Sequence, residues 1–141
     1  MHTRPHALIA ALLITVASLL APAAQAESAD CAAAMDQSSL NQCAYDLWQV
    51  QDAALNAAYS TANALMKQVD ADLPESQRGA HKALQDAQLA WIVFRDQTCT
   101  AEGYAMQGGN AQPLLVYGCK EQLSEQRALQ LTQMIETFGG Q

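Results

Sequence analysis

Basic residues are scarce in this 141-residue chain: Lys and Arg total 7 against 14 Asp and Glu, for a formal charge of −7. That balance disfavours nucleic acid and anionic membrane surfaces as partners and favours cationic ones, although plain solubility would also account for it. Histidine is rarer still. Beyond the first six residues only His81 remains, and the four cysteines include no CxxC pair, so the spacing gives no support to a metal site or a bound cofactor. No serine lies in a GxSxG setting, and Gly108 and Gly109 form an isolated pair in a turn, not a phosphate-binding loop. Sustained period-two alternation is missing, which excludes strands, and there is no internal repeat or low-complexity tract.

The N-terminus is different in kind. A charged Met1 to His6 segment leads into the apolar Ala7 to Ala21, then Pro22 and the small-residue triplet Ala24, Gln25, Ala26. This is the pattern of a secretory signal peptide over residues 1–26. Its apolar run of about 15 residues is short of the roughly 20 needed to cross a bilayer, and no later segment is long and uncharged enough to do so. Residues 27–141 are then expected to form one soluble domain with one core, in the periplasm or outside the cell. Loss of Arg4 leaves six basic against fourteen acidic residues, a net −8. Asp30 directly before Cys31 argues against a lipid-modified cysteine at the cleavage site, so no membrane anchor is expected.

Cys31, Cys43, Cys99 and Cys119 all lie in the exported part, and an even count in an oxidising compartment reads as two disulfides. Three pairings are possible, and the sequence alone does not choose among them. Cys31 with Cys43 and Cys99 with Cys119 are favoured because each closes a local loop.

Helical periodicity organises the rest. Ser39 and Gln42 have capping-box spacing, and from there Trp48, Asp52, Leu55, Tyr59, Ala62, Met66 and Val69 step by fours and threes. The sequence VDADLP breaks the pattern, with Asp72 as a cap candidate and Pro74 in the first turn of a second helix running to about Tyr104. Within it, Leu84, Ala87, Trp91, Phe94 and Thr98 share a face, with Gln88 and Arg95 at its edge. Gly108, Gly109, Asn110 and Pro113 end that helix and begin a third, about Pro113 to Phe138, with Val116, Cys119, Leu123, Arg127, Leu131, Met134 and Phe138 on one side. The expectation is an all-α, three-helix antiparallel bundle with two disulfides, whose tryptophans, Tyr59 and Phe94 belong to the core.

Several polar residues fall on or beside the apolar stripes: Asp52, Asn56, Gln88, Arg95, Asp96, Gln126 and Arg127. An unpaired buried charge costs several kcal/mol, so these groups need one another, and a network in which Asp52 accepts from Arg95 or Arg127 is the simplest solution. The competing reading makes Asp52 or Asp96 a catalytic acid with a raised pKa. Flanking arginines would instead lower both, which suits ion pairing. No catalytic residue is assigned, and the chain is read as a non-enzyme.

Taken together, DAALNAAY (Asp52, Leu55, Asn56, Tyr59), AQLAWIVFRDQTC (Gln88, Trp91, Phe94, Arg95, Asp96, Cys99) and the last helix (Cys119, Leu123, Arg127, Leu131) resemble the lysozyme inhibitor LprI-like N-terminal domain family of small exported domains. With Cys31 and Cys43 the resemblance covers nearly all of residues 27–141. It implies a non-catalytic domain that inhibits a lysozyme by protein contact, and a cationic lysozyme suits a partner at −8. The turn from Glu102 to Pro113, with Gly108, Gly109 and Asn110 at its tip, is the candidate contact surface. The alternative is a cell-envelope interaction module without inhibitory activity.

Overall fold

The computed structural model describes residues 31–139, so residues 1–26, read as a signal peptide, lie outside the described residues. Three helices, α1 (Gln37–Asp72), α2 (Ala80–Gly103) and α3 (Gln112–Gly139), make an up-down-up bundle, and among the described residues there is no strand. The expected all-α, three-helix architecture is what forms. At 1.5 Å per residue the helices are about 54, 36 and 42 Å long. α1 and α3 run parallel and pack most extensively on each other, with α2 antiparallel to both.

The first helix, expected to begin at Ser38 or Ser39, starts at Gln37, and its cap is not the Ser39 of the Ser39–Gln42 capping box. Asp36 is the N-cap: its carboxylate accepts from the Ser39 N–H at 3.0 Å and from the Ser39 hydroxyl at 2.8 Å. Gln42 turns away and donates to Asp46 at 2.9 Å. An aspartate is at least as good an N-cap as a serine, so the chain begins its helix at the first adequate acceptor.

The second helix starts later than predicted, at Ala80 and not at Pro74. Residues Glu75–Gln77 form a single 3-10 turn, and Gly79 takes a φ of +154°, a value that favours glycine. The cap is Asp70, not Asp72. From the last turn of α1 the Asp70 carboxylate accepts N–H groups of Gly79, Ala80 and His81 at 2.8, 2.9 and 3.1 Å, satisfying the free donors that open α2.

Leu55, Ala62, Met66, Leu84 and Leu131 form the core, with Tyr59, Trp91, Ala128, Met134 and Ile135 packed against it. The stripes expected on α1 and α3 largely face inward. The face of α2 matches only in part: Leu84 is buried and Trp91 packs on the core, but the other buried residues are Gln88, Arg95, Cys99 and Gly103, while Phe94 is 55% exposed and Ala87 also faces solvent. Gln88 and Arg95 are therefore central to that face and not at its edge. The helix is rotated toward its polar residues because Cys99 is fixed by a disulfide and Arg95 by ion pairs.

The disulfides are Cys31–Cys43 and Cys99–Cys119, with Cα separations of 5.7 and 5.4 Å, and both lie at the end of the bundle where α1 and α3 begin.

Candidate functional site

Arg95 is 8% exposed and touches all three helices. One of its terminal nitrogens donates to Asp52 of α1 at 2.7 Å, its Nε donates to Asp96 of α2 at 3.1 Å, and Ser124 of α3 lies at the long limit of 3.5 Å. The guanidinium also sits over the rings of Trp48 and Trp91, at 5.7 and 5.3 Å from their centroids. Asn56 donates to the other Asp52 oxygen at 3.1 Å, and Lys120 approaches Asp96 at 3.2 Å. This site thus gathers Asp52, Asn56, Arg95 and Asp96. Gln126 is exposed on α3 and outside it.

Burial acts to raise the Asp96 carboxyl, but hydrogen bonds and charge from Arg95 and Lys120 outweigh it and hold the group below its ordinary value of 3.8. A carboxylate held ionised accepts hydrogen bonds but has no proton to give at neutral pH. The arrangement suits a fixed ion pair. Among the described residues no group of three His, Cys, Asp or Glu side chains is placed to hold a metal ion.

A separate constellation surrounds Arg127. Its Nε donates to the buried Gln88 at 3.0 Å and one terminal nitrogen donates to Gln130 at 3.2 Å, with Trp91 6.0 Å away. Gln88 and Arg127 are therefore joined to each other and not to Asp52.

The turn between α2 and α3 is internally braced. Tyr104–Met106 form a 3-10 turn, the Gly109 N–H donates to Met106 at 2.9 Å, and Gly108 adopts φ +76°. Gln112 donates to Gln107 at 2.8 Å, while Asn41 of α1 donates to the Asn110 carbonyl at 2.8 Å and pins the tip to the neighbouring helix. Cys99–Cys119 closes the base, where buried Gly103 lets α2 and α3 approach: a Cβ there would lie 2.6 Å from Val116. Glu102, Gly108, Gly109 and Asn110 are all exposed, and so are Tyr104 (63%) and Met106. Sequence reasoning missed those last two. Their signal was a pair of large apolar side chains just past the helical stripe, where no core position needs them.

A family model described as lysozyme inhibitor LprI matches residues 28–131, a span that includes all four cysteines, both arginine sites and the whole turn. The chain belongs to the LprI lysozyme inhibitor family. An uncharacterized protein of Rhizobium meliloti (strain 1021) is 38% identical to this LprI-family chain over 121 residues, covering 83% of the chain and 87% of the relative. No solved structure matches. Among the described residues no helix is long and apolar enough to cross a membrane.

Proposed function

We propose that this LprI-family chain is exported by its residue 1–26 signal peptide and acts, without catalysis, by blocking the cleft of a cationic lysozyme through protein contact. The observation that carries the reading is the turn at Tyr104 to Asn110. Two exposed anchors, Tyr104 and Met106, project from a segment that a disulfide, a buried glycine and the Asn41 hydrogen bond hold in place. Because the backbone beneath these anchors is already braced, binding through them costs little loop-ordering entropy. Exposed Glu102, Asp36 and Asp46 lie at the same end, which favours approach of a cationic surface.

The test is residual lysozyme activity on cell-wall substrate with increasing oxidised mature protein, at low and moderate salt. Saturable, near-stoichiometric inhibition that weakens with salt is expected, and Tyr104→Ser with Met106→Ser should weaken it about tenfold or more while helical content is unchanged. Equal inhibition by the double variant would move the surface away from the turn. Binding to lysozyme without loss of its activity would favour the envelope interaction module.

A further inference from the structure

Toward the other end of the bundle, α2 and α3 leave a groove of about 410 Å³ between them. Its walls include Met66, Ala83, Ala87, Leu131, Met134 and Phe138. The groove is open because α2 presents alanines where larger side chains would reach α3. Along α3 it extends from Arg127 to Phe138, about 16 Å. Arg127 stands at the end nearest the middle of the bundle.

The two arginines facing the interior are treated differently. Arg95 has two carboxylates. Arg127, half-buried, has only the amide oxygens of Gln88 and Gln130, and among the described residues no carboxylate lies within ion-pairing distance of it. Glu125 and Glu136 of α3 are exposed and about half a turn around the helix. Burial alone lowers the Arg127 pKa, with no acid to offset it. A guanidinium held at the head of an apolar slot, with N–H groups still unused, lacks a counterion.

We infer that the α2–α3 groove binds a free medium-chain fatty acid, with the acyl chain along Leu131, Met134 and Phe138 and the carboxylate on Arg127. The volume is within the range of small-ligand pockets, and the apolar length beyond the single cation matches one chain with one anionic head. The site is remote from the Tyr104 turn, so it stands or falls apart from lysozyme inhibition.

Calorimetric titration of the oxidised protein with laurate, below its micellar concentration, is the test. One-to-one saturable binding is expected, with dodecanol, the uncharged analogue, at least about tenfold weaker. Arg127→Gln should bring laurate down to the level of dodecanol, and Arg127→Lys should keep part of the difference. Ala87→Phe fills the groove from a solvent-facing position and should abolish binding with helical content intact. Equal affinity for laurate and dodecanol, unchanged binding in Ala87→Phe, or binding to phosphatidylglycerol vesicles but not to laurate would each overturn the inference.

Discussion

Removing Asp52 should expose how much of the bundle depends on Arg95. In Asp52→Ala the guanidinium stays where Trp48, Trp91 and Ser124 enclose it but loses its 2.7 Å acceptor on α1, and Asn56 loses the partner it donates to. Breaking a fully buried pair costs about 3–5 kcal/mol. Here the Asp52 side chain is 29% exposed and Asp96 still accepts from the arginine, so the loss should be nearer that of one charge-assisted hydrogen bond, about 2 kcal/mol. For a domain of this size that lowers Tm by about 8 °C. Thermal and urea unfolding followed by far-UV circular dichroism would measure it, with Asp86→Ala as the control. Asp86 pairs with Lys82 at the same 2.7 Å, but both side chains are well exposed, so its loss should cost about 0.5 kcal/mol or less. If the two variants were equally stable, burial of Arg95 would not be what gives its ion pair weight. Arg95→Met combined with Asp52→Leu should be more stable than Arg95→Met alone, which leaves the Asp52 carboxylate without its arginine.

Gly103→Ala should destabilise by about 1–3 kcal/mol, because the new methyl meets Val116 at 2.6 Å and must push α2 from α3, and differential scanning calorimetry would record it. The pH dependence of stability should show an acid limb to which Asp70 contributes. N–H groups of Gly79 and His81 lower its carboxyl pKa below the ordinary 3.8, so its contribution is fully present above that value and fades as pH falls through the lower folded value. Asp70→Asn should flatten that limb in urea titrations between pH 5 and 2, taken as about the carboxylate range; an unchanged slope would remove Asp70 as a contributor.

The helices were legible because each keeps a stripe at threes and fours over many turns; the cysteine pairing was only favoured, by the shortness of the two loops, and the packing of the helix ends decides it. The ends of helices were less legible. Capping depends on which acceptor reaches the free N–H groups, and Asp70 reaches them across a connection that no local motif records. Phe94 was misplaced for a related reason: hydrophobicity votes for burial at every position, but the rotation of α2 is decided by Cys99 and Arg95, whose partners lie on other helices. Ser124, fully buried beside Arg95, gave no signal, since one small polar residue in a helix has no period. The Arg127 site was half visible. The need for a partner could be read from the stripe, but the amides that supply it and the groove beside it come from the packing of α2 on α3.

The pairing of α1 chiefly with α3 has a consequence for when this chain can fold. The first and last helices are the most distant in sequence, so the largest interface forms only after the whole connection has been made, and a long loop must close before its contacts reward it. A chain emerging N-terminus first, from a ribosome or through a narrow channel, has α1 and α2 available well before Leu131 arrives to complete the core. Until then the long first helix has only its thinner partner. The topology delays commitment to the native state until the final segment is delivered.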